Sequence, residues 1–231
     1  MRDVSKFLSG FRRFQHNYLG ARHAHFDHLL QDGQHPRALV IACCDSRCDP
    51  ALLTDCDPGD MFVVRNVANL VPPETKAIEY TATSAAMAFA VSNLEVEHII
   101  ILGHAQCGGI RNLVANKPPE CDEDRLIAKW LSIAEDAREK VSQELAGKTA
   151  ETLTVACEKA AILISLGNLM TYPWIRSRVK AEKLQLHGWY FDMVHGELLE
   201  YDPDEGKFSA LVAHQHGPGR NSQHLWANAP G

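Results

Sequence analysis

Three short apolar runs rich in β-branched residues constrain the fold more than any other feature of this chain. They are ALVIAC at 38–43, MFVVRNVA at 61–68 and EHIIILGH at 97–104. Such runs are typical of strands buried on both faces of a parallel sheet. Between the last two lies KAIEYTATSAAMAFAVSNL at 76–94, which is too long for a strand and rich in helix formers, so we predict a helix there. This alternation predicts an α/β fold with a central, mainly parallel β-sheet flanked by helices.

The second half of the chain extends the same pattern. A short helical piece, IRNLVA, is followed by a charged stretch at 122–147 and a helical stretch from about 150 to 182. KLQLHGWYFDM at 183–193 and ELLEY at 197–201 flank a His-Gly turn, and we predict that they form two strands of a hairpin. We therefore expect one α/β domain over 36–215. The turn-rich tail at 216–231 is expected to be irregular.

The first 35 residues are expected to form a helical arm that serves oligomerisation. Residues 3–19 carry apolar side chains at helical spacing, which predicts an amphipathic helix with an apolar stripe made of Val4, Phe7, Leu8, Phe11 and Phe14. Such a stripe must be buried against its own subunit or against another. The following segment, 20–35, contains four histidines without a shared face, and we interpret it as a solvated helix rather than a metal-binding patch: His23, His25, His28 and His35.

Charge and cysteine usage exclude several classes of protein. A net charge of −6 without a long basic run argues against nucleic acid as the main partner. No uninterrupted apolar run approaches the roughly 18 residues that would cross a bilayer, so we expect no membrane partner. The seven cysteines are odd in number and irregularly spaced, without a signal peptide. That favours a reducing, cytoplasmic setting in which thiols are available for a metal ion.

Potential metal ligands follow two of the predicted strands directly. His104 and Cys107 form an H-x-x-C motif after the run at 97–104, and Cys43 ends the run at 38–43. H-x-x-C alone is a weak signal, but a second ligand at the end of another parallel strand would lie at the same edge of the sheet, where such folds bind ligands. One histidine and two thiolates would leave a fourth position for water or a carboxylate, as in catalytic rather than structural zinc sites.

The stretch ACCDSRC at 42–48 contains three thiols and two charged residues. If the strand continues past Cys43, one face holds Cys43, Asp45 and Arg47, and the other holds Cys44, Ser46 and Cys48. The first set combines a thiolate with an acid–guanidinium pair whose members can satisfy each other. Periodicity alone does not choose between the two sets.

The motifs ACCDSR and GHAQCGG resemble the C-x-D-x-R and H-x-x-C signature of the β-class carbonic anhydrases. DPGDMFVVRNVANLVPP at 57–73, AIEY at 77–80, LGNLMTYPWI at 166–175 and LHGWYFD at 186–192 are also similar to segments of this family. The resemblance implies reversible hydration of CO2 to bicarbonate and a proton, through a hydroxide bound to zinc. It also implies a homodimer, or a dimer of dimers, with the active site near the dimer interface.

The resemblance assigns roles to individual residues. Cys43, His104 and Cys107 would bind zinc, and Asp45 and Arg47 would form the catalytic dyad. In a closed form of the site, Asp45 would itself become a zinc ligand. Tyr80, Gly108 and Gly109 would belong to the substrate pocket, and we expect Arg65 and Asn66 to organise its wall. Asp57 departs from the pattern, because plant-like members often have a glutamine there.

Two alternative functions remain open at this point. The same site could hydrolyse a CO2 analogue such as carbonyl sulfide or carbon disulfide, as some relatives with this fold do. A catalytically silent zinc protein would be expected to lack Asp45 or Arg47, and both are present.

Two thiolates cancel the formal charge of Zn²⁺, so we expect a bound water to titrate somewhat above the pKa of about 7 known for zinc held by imidazoles.

Overall fold

A computed structural model describes residues 4–21 and 23–212. Six strands form one sheet in the order β2-β1-β3-β4-β5-β6. Their bounds are β1 Ala38–Cys43, β2 Met61–Asn66, β3 His98–His104, β4 Gln185–Asp192, β5 Glu197–Asp202 and β6 Lys207–Val212. The first four strands are parallel to their neighbours, and β5 and β6 are added antiparallel. The α/β fold with a mainly parallel sheet is therefore confirmed.

Nine α-helices accompany the sheet in the described residues. They are α1 Ser5–Phe14, α2 His23–Asp32, α3 Pro50–Thr54, α4 Thr81–Ala88, α5 Gly108–Ala115, α6 Asp122–Leu131, α7 Glu135–Glu144, α8 Ala150–Leu169 and α9 Pro173–Lys180. A π-helical segment, Gln15–Ala21, joins α1 to α2. The predicted tail at 216–231 lies outside the described residues.

The two central strands are apolar throughout because both of their faces are covered. Leu39, Ile41, Ile99 and Ile101 belong to a core cluster that also contains residues of α8 and α9. Val40, Ala42, Ile100 and Leu102 point to the opposite face and form a second cluster with Trp189 and Phe191 of β4. This two-sided burial explains why the runs at 38–43 and 97–104 show no polar alternation.

Two sequence expectations about elements need correction. The helix expected at 76–94 is shorter, because α4 begins only at Thr81 and ends in a π-helical turn, Phe89–Asn93. Tyr80 precedes α4 in a non-helical conformation, and its hydroxyl donates to the carbonyl of Lys129, so a tertiary contact overrides local propensity. The strand β6 was not predicted, although the turn-rich DPDEG before it was a usable hairpin signal.

Helix α8 is the central helix of the molecule. By length and composition alone, it could cross a membrane, although charged residues interrupt its apolar sequence. It packs against β3, β4, α5 and α7, and it buries Ala161, Ile162 and Leu169 completely. One face of α8 therefore packs in the core of the domain.

Helix α1 presents an apolar stripe that the described chain does not cover. Phe7 is 75% exposed and Phe11 56% exposed, and no residue of α1 is buried. The arm is attached to the domain further along, where Tyr18 donates to Asp57 and the Nε2 atom of His25 lies 3.0 Å from the carbonyl of Pro58. The predicted amphipathic helix thus exists; its stripe is exposed from Val4 to Phe11, and Phe14 packs against Tyr18 and Phe26 of the arm.

Candidate metal centre

The carboxyl ends of β1 and β3 bring three potential metal ligands together. Cys43 is the last residue of β1, His104 is the last residue of β3, and Cys107 follows in the next turn. Because the two strands are adjacent and parallel, their ends meet at one edge of the sheet. The Sγ atoms of the two cysteines and one ring nitrogen of His104 all lie within 4.8 Å of one another, and all three residues are buried.

The histidine is oriented for ligation by its own turn. His104 Nδ1 lies 2.9 Å from the carbonyl oxygen of Ala105. Because a carbonyl can only accept, Nδ1 carries the proton, and Nε2 presents a lone pair. Nε2 is buried and has no hydrogen-bond partner among the described residues. Leaving such an atom unpaired is costly, whereas binding a cation would satisfy it. Two sulfurs and one imidazole nitrogen are a donor set that zinc-like ions prefer.

The two thiols of the group do not ionise alike. Their Sγ atoms are 4.0 Å apart, and Cys43 Sγ also accepts a hydrogen bond from the backbone N–H of Ala68 at 3.3 Å. Hydrogen bonds from the thiols of Cys107 and Cys48 lower the pKa of Cys43. The hydrogen bond to Cys43, with burial, raises the pKa of Cys107. The pair therefore retains a proton that a divalent cation would displace.

Asp45 and Arg47 form a bidentate pair next to this group. Arg47 Nε donates to Asp45 Oδ1 at 2.9 Å, and a terminal nitrogen donates to Oδ2 at 2.7 Å. The backbone N–H of Arg47 adds a third hydrogen bond at 3.0 Å. The guanidinium lowers the pKa of Asp45 to about 2, so the carboxylate is ionised at any ordinary pH. Arg47 also donates to the carbonyl of Gln106, which links the pair to the turn that bears His104 and Cys107.

Arg65 and Asn66 hold the chain around the centre, as expected for wall residues. Arg65 donates to the carbonyls of Cys43 and Asp45 at 2.9 and 2.6 Å, and it forms an ion pair with Asp49. Asn66 exchanges two hydrogen bonds with the backbone of Leu70. The contacts of Arg65 bind β2 to the loop after β1, and those of Asn66 close the turn that follows β2.

Aromatic and small residues form a wall beside the centre. Tyr80 packs edge-on against Trp130 with ring centroids 5.3 Å apart, and Trp130 donates to the carbonyl of Val67 at 2.7 Å. A Cβ atom on Gly109 would approach Val67 to 2.8 Å, so this glycine permits a close approach of the chain. Gly108 differs, because a Cβ there would meet no atom within 4 Å. The expected need for glycine therefore applies to Gly109 alone.

The remaining cysteines depart from two expectations. Strand β1 ends at Cys43 and the chain turns, so the alternation assumed for 43–48 does not continue. Cys44 is exposed, whereas Cys48 is buried in the same core cluster as Cys43 and donates to the carbonyl of Asp45. A cysteine outside a ligand group is usually a small buried residue, so the sequence predicts at least partial burial for Cys48, Cys56, Cys121 and Cys157. Cys121 is exposed and contradicts this prediction, whereas Cys157 is fully buried and Cys56 partly buried.

Two contacts near the centre were not foreseen from the sequence. The carboxylate of Glu158 in α8 accepts from the backbone N–H of Cys107 and from the hydroxyl of Tyr190, both at 2.8 Å. Burial raises the pKa of Glu158, and these hydrogen bonds oppose the rise. Away from the centre, Asp57, the residue that departs from the family pattern, accepts a hydrogen bond from Tyr18 of the arm at 2.9 Å; it precedes β2, whose first residue pairs with the first residue of β1.

Comparison with known proteins agrees with this geometry. Residues 38–198 match the family model described as carbonic anhydrase. Beta carbonic anhydrase 3 of Arabidopsis thaliana is 36% identical over 204 residues, which cover 86% of this chain and 78% of that protein. The carbonic anhydrase of Synechococcus elongatus is 35% identical, with 85% of this chain and 71% of that protein covered.

Solved structures show the same relationship. The β-carbonic anhydrase CcaA superposes with a TM-score of 0.83 at 36% identity, covering 92% of each chain. A tetrameric β-carbonic anhydrase from Sordaria macrospora superposes with a TM-score of 0.73 at 29% identity, covering 90% of this chain and 99% of that one. With the Cys-His-Cys group and the Asp-Arg pair in place at the sheet edge, the chain belongs to the β-carbonic anhydrase family.

Proposed function

We propose that this protein catalyses the reversible hydration of CO2 to bicarbonate and a proton, with zinc held by Cys43, His104 and Cys107. The observation that carries the proposal is the buried unpaired Nε2 of His104 facing two thiols at a strand edge. When bound, zinc supplies a Lewis acid that makes hydroxide available as a nucleophile near neutral pH. The two thiolates compensate its formal charge, so the ion can remain buried without a further anion.

The Asp45–Arg47 pair would orient the attacking water. Oδ1 of Asp45 accepts hydrogen bonds from the Nε and the backbone N–H of Arg47, whereas Oδ2 accepts one from the Arg47 side chain and keeps a further lone pair. An ionised carboxylate can only accept, so it would take a hydrogen bond from the water and direct a lone pair of the water oxygen towards CO2. Without the Arg47 side chain, the Asp45 carboxylate could turn towards the group formed by Cys43, His104 and Cys107 and would itself become a metal ligand. Arg47 would prevent this by holding the carboxylate in place.

The wall made of Val67, Tyr80 and Trp130 would receive CO2. CO2 is small and has no net dipole, so an apolar surface beside the nucleophile can hold it without specific hydrogen bonds. The hydroxyl of Tyr80 is engaged by Lys129, which leaves the edge-packed rings to form the surface. The role of Tyr80 is therefore to shape the pocket.

We also propose that the protein works as a homodimer or as a dimer of dimers. The support is the uncovered apolar stripe of α1, together with the tetrameric state of the relative from Sordaria macrospora. An aspartate in place of Phe7 should dissociate the oligomer, because the charge would have to be buried with the stripe. Light scattering coupled to gel filtration measures this directly, and an unchanged mass would contradict the role of the stripe.

The test of the proposed reaction combines metal analysis with stopped-flow CO2 hydration on one sample. We expect stoichiometric zinc and a kcat/KM that rises from neutral to alkaline pH. The rise should have its midpoint above pH 7, because two thiolates make zinc a weaker Lewis acid than three imidazoles do. A flat profile with full zinc content would contradict the mechanism. Faster turnover of carbonyl sulfide or carbon disulfide than of CO2 would contradict the substrate assignment.

A further inference from the structure

Glu158 is a buried carboxylate in the middle of α8. Only 2% of its surface is exposed, and its neighbours along the helix include the fully buried Cys157, Ala161 and Ile162. Within the described residues, no lysine or arginine forms an ion pair with it. An ionisable side chain in such surroundings is costly unless hydrogen bonds compensate for the lost hydration. Its presence on the buried face of the helix therefore requires an explanation.

Both of its oxygens are used, and they connect two different elements. Oε1 accepts from the backbone N–H of Cys107 at 2.8 Å, and Oε2 accepts from the hydroxyl of Tyr190 at 2.8 Å. Tyr190 lies in β4 and is itself only 1% exposed. Tyr190 of the sheet thus fixes Oε2 of Glu158, and Oε1 accepts the hydrogen bond from Cys107, whose thiol is a proposed metal ligand.

Among the residues that the structure describes, the backbone N–H of Cys107 has no hydrogen-bond partner other than Glu158. Cys107 is the cap residue before α5, so its N–H lies outside the hydrogen-bond pattern of that helix. The preceding residue, Gln106, has a φ of 58°, a left-handed conformation that is uncommon for a residue other than glycine. The turn from His104 to Cys107 is therefore not maintained by local propensity alone.

Besides the hydrogen bond from Arg47 to the carbonyl of Gln106, two contacts from the body of the protein hold this turn. The N–H of Ala105 donates to the carbonyl of Phe191 in β4 at 2.9 Å, and the N–H of Cys107 donates to Glu158. The first contact lies next to His104, and the second lies on Cys107 itself. Together they fix the distance between the imidazole and the thiol, because they anchor the turn at both ends.

We propose that Glu158 is a positioning residue for the metal centre, which it serves by fixing the backbone of Cys107 and so the place of its Sγ atom. The proposal rests on the proposed function, since it assumes that Cys107 is a ligand. Glu158 is not a ligand itself, because its oxygens are occupied by Cys107 N–H and Tyr190. Tyr190 acts through Glu158 by holding the carboxylate in place.

Two substitutions separate the hydrogen-bond acceptor from the charge. Glu158→Ala removes the acceptor and leaves the N–H of Cys107 buried without a partner. Loss of such a partner next to a metal ligand typically weakens metal binding by about 10–100-fold. Glu158→Gln keeps an oxygen for the N–H of Cys107, and its amide group can donate to the oxygen of Tyr190. If positioning is the role, the glutamine variant should bind metal about as well as the unchanged protein.

The experiment is a Co²⁺ titration of the metal-free, reduced full-length protein, followed by the thiolate-to-cobalt and d–d absorption bands. Tyr172→Phe is the matched control for Tyr190→Phe. Tyr172 is also a buried tyrosine, 2% exposed, but its hydroxyl donates to the carbonyl of Pro72 at 3.0 Å and not to Glu158. Urea unfolding of the metal-free variants records how much stability each one loses, independently of the metal.

We expect Glu158→Ala to bind Co²⁺ about 10–100-fold more weakly, with a displaced d–d band, and Glu158→Gln to resemble the unchanged protein. Wild-type affinity and spectrum in Glu158→Ala would overturn the proposal. Equal impairment of Glu158→Gln and Glu158→Ala would also overturn it, since charge would then matter rather than position. If Glu158→Ala does not fold, Tyr190→Phe tests the proposal in its place. It should weaken Co²⁺ binding more than Tyr172→Phe does, and equal Co²⁺ affinities of these two variants would overturn the proposal. Failure of the unchanged protein to bind Co²⁺ or Zn²⁺ would instead refute the proposed function.

Discussion

Replacing Arg47 by alanine should uncouple Asp45 without removing any proposed metal ligand. In the structure, Asp45 accepts two hydrogen bonds from the Arg47 side chain and one from its backbone N–H. The variant keeps the backbone contact and loses the two side-chain contacts. The carboxylate then gains freedom to rotate, and one of its alternatives is to face the group formed by Cys43, His104 and Cys107.

The size of the effect follows from the geometry of the pair. Arg47 is the main cause that lowers the pKa of Asp45 from 3.8 to about 2. At about 1.36 kcal/mol per pKa unit, that corresponds to at most about 2.5 kcal/mol of stabilisation of the ionised carboxylate. The side chain of Arg47 is 49% exposed, so solvent screening reduces its share to about 1–2 kcal/mol. A free energy of this size changes the population ratio of Asp45 held by Arg47 to Asp45 free to rotate by about 5–30-fold.

Stopped-flow CO2 hydration of the zinc-loaded variant measures the consequence. We expect kcat/KM to fall by about 5–30-fold while zinc content stays unchanged, because only the tethered carboxylate leaves the fourth position free. Arg47→Lys should lie between the two proteins, since an ammonium keeps the charge but lacks the two-pronged geometry of guanidinium. Arg125→Ala is the control, because Arg125 is exposed and its ion pair in the described part of the chain is with Asp122, the first residue of α6. A value of kcat/KM within twofold of the unchanged protein, at full zinc content, would refute this account.

Three further predictions test the ligands, the packing and the pH dependence of stability. Cys43→Ser should lose zinc and Cys44→Ser should keep it, because Cys43 is buried in the ligand group and Cys44 is exposed; metal analysis after dialysis decides. Gly103→Ala should cost about 1–3 kcal/mol of unfolding free energy in urea, because its Cβ would lie 2.7 Å from Ile162. Gly167→Ala, with open space around it, should gain about 0.5–1 kcal/mol, and a loss there would contradict the packing account. His195→Ala should cost about 0.2–1 kcal/mol near pH 5.5 and less at pH 8.5. The hydrogen bond to Asp192 raises the pKa of His195, so its contribution is complete below the unfolded pKa of about 6.5 and is lost as pH rises through the folded value. Burial by itself would raise the pKa of Asp192, but the hydrogen bonds that the carboxylate accepts, chiefly from the His195 side chain, outweigh burial and lower the pKa below its usual value. The stabilisation that Asp192 contributes is therefore lost only as pH falls through that lowered pKa. Equal losses at both pH values would contradict the pair.

The strand runs and the two ligand-bearing strand ends could be predicted because they depend on short stretches of chain. β1 begins and ends where the apolar run ALVIAC does, and β3 differs from its predicted run by one residue. Buried strands of a parallel sheet must be apolar on both faces, so a short continuous apolar stretch of sequence is enough to predict them. The place of Cys43 and His104 at one edge follows from the parallel direction of adjacent strands.

The side-chain faces after β1 could not be predicted in the same way. Alternation holds only while the chain remains extended, and it ends at Cys43. The turn that follows buries Cys48 and exposes Cys44, which periodicity had placed on one face. Arg65, which lies in the neighbouring strand β2, stabilises this turn by donating hydrogen bonds to the carbonyls of Cys43 and Asp45.

The sequence by itself determined the class of fold, the strand ends that carry ligands and the family signature, since each of these depends on local composition and spacing. The tertiary structure alone decided which nitrogen of His104 presents its lone pair and which thiols are buried. It also decided that Glu158, 51 positions beyond Cys107, would hold that residue in place. These features arise from contacts between elements distant in the chain, and no local pattern in the amino-acid sequence specifies them.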